Sequence, residues 1–353
     1  MSKYIGGDFP LDPNFLLSKG KFSKLLTKFP NNWSTSGRFM FYEILLNYKK
    51  KWIKKIYLPS YICESLLEPV KKLGFSYLFY DVSDTFIINH SFKSNSLILI
   101  IHYFGKEIKN IAEIKNNIPS TSYIIEDITH TFLNHNCLNI KRKNKYFFTL
   151  RKHFGLLLGG YSNLKTGKNK KENKTFFEIG VKAAVLKYFF LKKNNKPDYL
   201  EKLYLNLFKQ FENKIFLNYT KIKIPKQIKN LTSNINFQEA IKKRKKNWEI
   251  LDEILDGKIE KLYNSYKINE VPLGYLIKIK NRDFFREQLK RKKIFTSIHW
   301  NLPKKIKKNF FPKSYKLSEQ ILTLPIDQRY DKHEIIYLGE NILRMLKLWF
   351  KIK

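Results

Sequence analysis

The stretch that decides the fold is Ile124–His130, with the sequence IIEDITH, followed farther on by Phe147–Lys152, with the sequence FFTLRK. An acid ends the first apolar run, and a lysine ends the second, shortly before a glycine pair at 159–160. Apolar runs of this length are typical of neighbouring strands in a buried, largely parallel sheet. The sequence therefore predicts that Asp127 and Lys152 lie at neighbouring strand ends.

An acid and a lysine at adjacent strand ends are the pair that a pyridoxal phosphate enzyme needs. The lysine holds the cofactor as a Schiff base, and the acid keeps the pyridine nitrogen protonated so that the ring can accept electrons. Each half alone has a plainer interpretation. A strand that ends in Glu-Asp commonly leads into a solvated turn, and a lysine beside an arginine in a basic chain is commonly surface charge.

A glycine-containing loop elsewhere in the chain supports the functional interpretation of the acid and lysine pair. It is Ser34–Arg38, with the sequence STSGR, and it leads directly into the apolar segment Phe39–Tyr48. Serine and threonine are good helix N-cap residues, and Gly37 lets the backbone approach a ligand closely. The apolar residues follow at helical spacing, and the N–H groups at a helix N-terminus bind phosphate. The loop therefore predicts a phosphate site to which Arg38 adds charge; an ordinary capped helix is the alternative.

Together these motifs resemble the DegT–StrS family of pyridoxal-phosphate-dependent sugar aminotransferases, over nearly the whole chain. Besides the motifs above, the resemblance rests on segments in the family's order and spacing: Ile5–Phe9, Leu58–Cys63, His102–Gly105, Arg244–Asn247, Ile298–Trp300 and Leu324–Tyr330. It implies the type I aminotransferase fold, in which an α/β large domain with a mostly parallel mixed sheet precedes a smaller α+β domain. It also implies pyridoxal 5'-phosphate as the cofactor.

Matched residue by residue, the resemblance implies a role for each site position. Lys152 would carry the cofactor and move the proton during catalysis, Asp127 would pair with the pyridinium nitrogen, and His130 would lie near the 3-oxygen of the cofactor. The phosphate group would be held by Ser36, Gly37, Arg38, Phe39 and Thr149. Lys152 and Asp127 are thus the implied catalytic residues.

The substrate-contacting positions that the resemblance implies are His102, Tyr103 and His299. His299 and its neighbour Trp300 would line the mouth of the site, although packing of both side chains in the core of the small domain is an equal alternative. The chain also departs from the family pattern. Cys63 stands where many relatives stack an aromatic residue on the pyridine ring, and the FFTLRK motif has a shorter spacing than usual between its hydroxyl residue and its lysine.

The chain has 68 Lys and Arg residues against 30 Asp and Glu, which gives a formal net charge of +38. Such a charge raises nucleic acid or an anionic membrane surface as a partner. The basic residues are mostly lysines, however, and with Ile, Asn, Phe and Tyr they have AT-rich codons, so a biased genome explains much of the excess. Nucleic-acid binders more often concentrate arginine on a recognisable module. We expect no nucleic acid as the main ligand; an acidic substrate such as a nucleotide diphosphate, or peripheral attraction to an anionic membrane, fits the charge.

At 353 residues, 43% of them hydrophobic, the chain is long enough for two domains and too apolar to be disordered. No apolar run approaches the length of a membrane span, and the N-terminus has no pattern of a secretory signal. Two cysteines, Cys63 and Cys137, are too few for a disulfide framework, which favours a reducing cytoplasm. A metal site built from His130, His135 and Asp127 would lack further ligands and is not expected.

Strands alternate with helices in the first part of the chain, which predicts an α/β layer. The predicted strands are Ile53–Leu58, Ser76–Tyr80, Leu97–His102, Tyr123–Glu126 and Tyr146–Leu150, with helices at Tyr61–Leu73 and Ile108–Asn116. A helical, basic segment at 176–214 and a polar connector at 219–234 precede a smaller α+β domain, for which we predict helices at Phe237–Leu255, Arg282–Lys290 and His333–Leu348 and a strand at Leu273–Ile279. The predicted domains are 1–232 and 233–353.

Two local features complete this organisation. The lysine-rich stretch Lys165–Lys174, which also holds Asn and Gly, predicts an exposed loop. Asp327 and Arg329, two residues apart, predict a structural salt bridge, with substrate contact as the alternative.

The resemblance implies a cytoplasmic aminotransferase that transfers an amino group, from glutamate, to a nucleotide-linked keto-sugar for surface polysaccharide or lipopolysaccharide synthesis. Its partners would be a sugar nucleotide and an amino-acid donor. The family also implies a homodimer, for which the aromatic residues of 176–214 are a hint, unless they pack on the large domain. Two other classes stay open: a family member that binds the cofactor or a sugar nucleotide without turnover, and a basic protein that binds nucleic acid or a membrane surface. Lys152 favours the enzyme over the first class, and the scattered lysines disfavour the second.

Overall fold

A computed structural model describes residues 4–14, 32–83, 85–134, 142–165, 174–218 and 226–351. Its strands are β1 (Ile5–Gly6), β2 (Trp33–Ser34), β3 (Lys55–Pro59), β4 (Ser76–Tyr80), β5 (Leu97–Ile101), β6 (Tyr123–Asp127), β7 (Lys145–Thr149), β8 (Gly160–Ser162), β9 (Tyr275–Lys278), β10 (Ile294–Phe295) and β11 (Ile321–Leu324). Seven of them form a mixed sheet with the order β2-β8-β7-β6-β5-β3-β4. This sheet is the centre of the large domain.

Five neighbouring strands of this sheet are parallel: β4, β3, β5, β6 and β7. Next to β7, β8 runs antiparallel to it, and β2 pairs antiparallel with β8 at the edge of the sheet. The registers place Ile101 opposite Asp127, and Asp127 opposite Phe147. The carboxyl ends of β5, β6 and β7 therefore meet at one edge. Every residue of β5 is buried, as expected for a strand with both faces covered. The predicted α/β fold with a mostly parallel mixed sheet is confirmed.

The helices are α1 (Gly37–Lys49), α2 (Leu67–Lys72), α3 (Ile111–Asn117), α4 (Lys174–Lys192), α5 (Asp198–Asn218), α6 (Lys226–Ser233), α7 (Phe237–Leu255), α8 (Arg282–Arg291), α9 (Pro312–Gln320) and α10 (Lys332–Lys351). Within the described ranges, none of them combines the length and the apolar character that a membrane span requires.

One predicted helix is shorter than expected, and the predicted connector is in part a helix. The helix predicted over Tyr61–Leu73 is instead a short 3-10 turn at Glu64–Leu66 followed by α2. The α-helix starts late because Pro69 has no N–H to donate and is tolerated only in a first turn. The polar connector predicted at 219–234 contains α6, and residues 219–225 lie outside the described residues.

A second hydrophobic core lies in the C-terminal part of the chain, where α7, α8 and α10 pack around the antiparallel pair of β9 and β11. The first strand of the chain completes this domain, because β1 pairs in parallel with β10 and Ile5 lies opposite Ile294. The predicted boundary at residue 232 had assigned Ile5 and Gly6 to the large domain. The two cores do not divide the chain at one position, because the first core also contains residues beyond 232 such as Ala240, Val271 and Ile306. The division near residue 232 therefore stays a prediction.

Helices α4 and α5 pack on each other and hold most of the aromatic residues that were a hint of a dimer. Phe177 and Phe190 are buried inside the chain, whereas Phe189 and Tyr199 have 49% and 69% of their surface exposed. The hint is therefore wrong for Phe177 and Phe190, and the homodimer itself stays a prediction. The side chain of Phe176, and residues 166–173 of the predicted exposed loop, lie outside the described residues.

Candidate active site

Asp127 and Lys152 lie close together at the carboxyl edge of the sheet. Asp127 is the last residue of β6, and Lys152 ends the 3-10 turn Leu150–Lys152 that follows β7 directly. Because β6 and β7 are adjacent, both side chains line one cavity of about 370 Å³. Asp127 is buried, and its Oδ1 accepts a hydrogen bond from the Thr129 N–H at 2.9 Å.

The environment of Asp127 favours a cationic ligand. Burial raises the pKa of Asp127, although the hydrogen bonds from Thr129 and the charges of Lys152 and His102 act in the opposite direction. A buried carboxylate gains most from a positively charged partner, because that partner compensates for the lost hydration of the charge. Asp127 is therefore suited to face a protonated nitrogen of a bound ring.

The glycine pair at 159–160 connects the 3-10 turn Leu150–Lys152, which we call the lysine turn, to the loop before α1. The carbonyl of Gly159 accepts hydrogen bonds from the Leu150 N–H at 2.9 Å and the Thr149 Oγ1 at 2.8 Å, while the Gly159 N–H donates to the Thr35 carbonyl at 3.0 Å. A Cβ added at Gly160 would lie 2.1 Å from the Ser36 carbonyl oxygen. Only glycine at 160 lets these two segments approach so closely.

The helix α1 presents its N-terminus to the same cavity. Ser36 is the N-cap, and its Oγ accepts a hydrogen bond from the Phe39 N–H at 3.2 Å. Gly37 and Arg38, in the first turn, line the cavity, and that turn contains no acidic residue. The first amides of a helix have no partner inside it, so this end can bind an anion. Arg38 also lies 3.6 Å from the carboxylate of Glu68.

His130 is held as a neutral imidazole in contact with two aromatic rings. Its ring stacks on Phe104 and Trp300, with centroids 5.4 Å away in both cases. Burial, followed by the charge of Lys152, keeps the pKa of His130 well below its usual value. Its Nδ1 accepts a hydrogen bond from the Phe104 N–H at 3.2 Å, so the proton of the neutral ring resides on Nε2. His130 is thus a hydrogen-bond donor through Nε2.

Two of the positions implied to contact substrate are engaged inside the protein. The His102 Nδ1 accepts from the Ile108 N–H at 3.1 Å, and its Nε2 lies 3.0 Å from Glu126 Oε2. The Tyr103 hydroxyl donates to the Tyr61 carbonyl at 2.6 Å, and Tyr103 is buried. Both side chains use their polar atoms to fix the strand ends and loops. His102 also lines the first cavity, and the substrate role expected for His102 and Tyr103 stays a prediction.

His299 and Trp300 follow β10 and lie near Lys152. The His299 Nδ1 is 2.9 Å from Thr323 Oγ1, and the Lys152 Nζ is 5.6 Å from the centre of the Trp300 ring. Trp300 lines the first cavity and, with His299, a second cavity of about 630 Å³. Trp300 also packs against the main hydrophobic core, so both alternatives for this pair stay predictions. Cys63 also lines both cavities.

The helix α5 contributes residues that sequence reasoning missed. Glu212 forms an ion pair with Arg151, next to Lys152, and the Arg38 guanidinium lies 4.9 Å from the centre of the Phe216 ring. Both Glu212 and Phe216 line the first cavity. No sequence motif marked them, since α5 is far from the motifs along the chain.

A buried arginine ties the lysine turn to the small domain. The Arg244 Nη2 donates to the His153 carbonyl at 3.1 Å and its Nη1 to the Leu273 carbonyl at 3.0 Å. The Gln328 Nε2 donates to the same His153 carbonyl at 2.7 Å. These bonds hold the residue next to Lys152 from two elements of the small domain.

The predicted salt bridge between Asp327 and Arg329 is present in the structure. The Arg329 Nε lies 2.7 Å from Asp327 Oδ1, and its Nη2 lies 2.9 Å from Oδ2. This two-pronged geometry supports the structural role that we predicted.

The fold is that of the type I pyridoxal-phosphate-dependent aminotransferases, and it matches solved sugar aminotransferases over nearly the whole chain. A putative sugar aminotransferase, Spr1654 from Streptococcus pneumoniae, is 12% identical with a TM-score of 0.68 and covers 99% of this chain and 100% of its own. PseC from Helicobacter pylori, an aminotransferase involved in the biosynthesis of pseudoaminic acid, is 12% identical with a TM-score of 0.64, over 98% and 100% of the two chains. CalS13 from Micromonospora echinospora, a sugar aminotransferase, is 12% identical with a TM-score of 0.62, over 98% and 100%. No family model and no curated protein matches the sequence.

Proposed function

We propose that this chain is a pyridoxal-phosphate-dependent aminotransferase that aminates a keto-sugar, with glutamate as the amino donor. The observation that carries the proposal is the placement of Asp127 and Lys152 at adjacent strand ends in one cavity, with the N-terminus of α1 lining the same cavity. The likeness of the fold to sugar aminotransferases supports it.

The residues of the cavity fit the cofactor by their chemistry. Pyridoxal phosphate combines an anionic phosphate, a basic ring nitrogen, a phenolic oxygen and an aldehyde. The N-terminus of α1, with Gly37 and Arg38, would hold the phosphate, and Asp127 would hold the ring nitrogen. Lys152 offers the amine for the aldehyde, and His130 offers a neutral N–H donor to an oxygen. Each group of the cofactor thus has a chemically matched residue.

When bound, the cofactor would supply an electron sink for the carbon that loses its proton. The chain would supply the rest. Asp127 would keep the ring nitrogen protonated, the Lys152 amine would carry the proton to and from the substrate, and His130 would orient the ring through its Nε2–H. Arg244 and Gln328 would hold the backbone beside Lys152 so that its amine keeps its position.

We propose that the acceptor is linked to a nucleotide. Five basic side chains line the second cavity against three acidic ones, and this excess of positive charge supports an acidic acceptor such as a nucleotide diphosphate sugar. The basic residues are Arg151, Lys152, Arg244, Arg286 and Arg329, and the acidic ones are Asp8, Glu212 and Asp327. Such a product would serve surface polysaccharide or lipopolysaccharide synthesis. A cytoplasmic location and a homodimer remain predictions.

The test is an absorbance titration of the purified protein with pyridoxal phosphate. We expect a band near the visible edge that glutamate bleaches and that borohydride fixes to the chain, and we expect Lys152→Ala to lose both responses. A protein that takes up no cofactor would contradict the proposal. One that binds the cofactor without responding to glutamate or to other amino donors would instead be a family member that does not turn over.

A further inference from the structure

An exposed aromatic side chain lies among lysines at the amino-terminal end of the sheet. Trp52, in the turn between α1 and β3, has 83% of its surface exposed, and Lys50, Lys51 and Lys54 beside it are exposed as well. Tyr123, the first residue of β6, is 39% exposed, and the Lys51 Nζ lies 6.0 Å from the centre of its ring. We call these five residues the basic aromatic edge.

The backbone at Trp52 has a conformation that suits glycine. Its φ is 65°, in the left-handed region, within a turn where the Trp52 N–H donates to the Lys49 carbonyl at 3.0 Å and the Ile53 N–H to the Tyr48 carbonyl at 3.3 Å. A bulky residue is disfavoured there, and glycine is the usual choice just after a helix. Because the indole is exposed, packing inside the fold does not compensate. A residue that weakens its own turn and adds little to the core points to a partner outside the chain.

The lysines of this edge have charge available for such a partner. A common reason for lysines at a helix C-terminus is to complement its negative end, but Lys49 at the end of α1 donates instead to the carbonyl of Leu73, the C-cap of α2, at 2.6 Å. For Lys50, Lys51 and Lys54, the described part of the chain provides neither a carboxylate within ion-pair distance nor a carbonyl for the ammonium group. The Lys51 Nζ lies 5.6 Å from the centre of the Tyr48 ring and the Lys54 Nζ 5.9 Å from that of Trp52, contacts that leave the positive charge uncompensated by any carboxylate of the described residues.

We propose that the basic aromatic edge binds the surface of an anionic lipid membrane. Tryptophan and tyrosine favour the boundary between lipid headgroups and acyl chains, and clustered lysines are attracted to anionic lipids. The edge lies at the end of the sheet opposite to Asp127 and Lys152, so a docked chain keeps its cavity open to solvent. A single-stranded nucleic acid would more often be bound by several stacked aromatics in a groove. This binding is separate from the proposed aminotransferase activity.

The experiment sediments the full chain with vesicles of mixed phosphatidylcholine and phosphatidylglycerol, or of phosphatidylcholine alone. We expect binding to the anionic vesicles only. Trp52→Gly should weaken it about tenfold while raising the midpoint of thermal unfolding, because glycine relieves the turn. The combined change Lys50→Gln, Lys51→Gln and Lys54→Gln should weaken binding by a similar factor.

Matched control variants remove an exposed apolar side chain and three exposed lysines at other places on the surface. Ile268→Ser removes a side chain that is 91% exposed, and the combined change Lys242→Gln, Lys243→Gln and Lys246→Gln removes three exposed lysines of α7. Both controls should bind as the unmodified chain does.

Each contrary result overturns the proposal. Equal binding to neutral vesicles, an equal loss in the lysine control, or unchanged binding by Trp52→Gly would do so. Tighter binding to a single-stranded oligonucleotide, lost in the same variants, would assign the edge to nucleic acid. Amination by Trp52→Gly should be unchanged, so failure of this proposal is distinguishable from failure of the proposed function.

Discussion

Replacing Glu126 by glutamine tests the buried charge network next to Asp127. The Glu126 side chain is fully buried, lies 3.0 Å from the His102 Nε2 and 3.5 Å from the Lys115 Nζ, and forms an ion pair with Arg142. Burial alone would raise the pKa of Glu126, but the hydrogen bond and charge of His102, with the charges of Arg142 and Lys115, lower it from 4.5 to about 2.

The lowered pKa of Glu126 sets the size of the expected stability change and the pH range in which it appears. A pKa lowered from 4.5 to about 2 corresponds to about 3 kcal/mol of folding free energy, since each pKa unit is worth about 1.4 kcal/mol. Because the pKa is lower in the folded chain, the stabilisation is present above about pH 4.5 and is lost as the pH falls toward 2. Glutamine keeps the shape of the side chain but carries no charge. We therefore expect Glu126→Gln to lower the free energy of unfolding by about 3 kcal/mol at neutral pH.

The measurement is urea unfolding, followed by circular dichroism, at a series of pH values. The two chains should differ most at neutral pH and converge near pH 2. Glu113→Gln is the matched control, because Glu113 is exposed on α3 and should be within about 0.5 kcal/mol of the unmodified chain at every pH. The reasoning is refuted if Glu126→Gln loses as little stability as the control, or if its deficit stays constant down to pH 2.

Three further changes and one measurement of size test the site. Asp127→Asn should slow the half-reaction with glutamate by at least about 10²-fold in rapid-mixing absorbance while cofactor stays bound, since the ring nitrogen loses its partner; near-normal rates would mean that another acid fills the role. Gly160→Ala should lower the free energy of unfolding by about 2 kcal/mol or more, because its Cβ would overlap the Ser36 carbonyl, and an unchanged melting temperature would contradict this. Arg244→Met should slow borohydride fixation at Lys152 beyond any loss of cofactor affinity; equal rates at cofactor saturation would show that the arginine is structural only. Light scattering should give a dimer at micromolar concentration, and a fully active monomer would refute the predicted assembly.

Features set by local pattern could be predicted from the sequence. The helix predicted over Phe237–Leu255 agrees with α7 at both ends, and Ser76–Tyr80 agrees with β4. Hydrophobic periodicity and an N-cap such as Asn236 act within a few residues, so a single sequence contains the necessary information. The acid and the lysine could be placed because parallel strands end at one edge.

Features set by distant contacts could not be predicted. His102 was a candidate for substrate contact, yet its partners are Glu126 and the backbone of Ile108, and Arg142 completes the network. The sequence around a histidine does not show whether the side chain will contact a ligand or a buried carboxylate. In the same way, nothing near Glu212 indicated that α5 would pass beside the lysine turn. Such contacts depend on how whole elements pack.

The pairing of β1 with β10 has a consequence for how the chain matures on the ribosome. Ile5 leaves the exit tunnel early, but its partner Ile294 is made about 290 residues later. At about 5 to 20 residues per second, the first strand waits on the order of 15 to 60 seconds for its neighbour. The large sheet can assemble in that interval without it. The pairing of β1 must therefore wait until most of the chain has been made, so a change near Ile5 should destabilise the region around β10 rather than the large sheet.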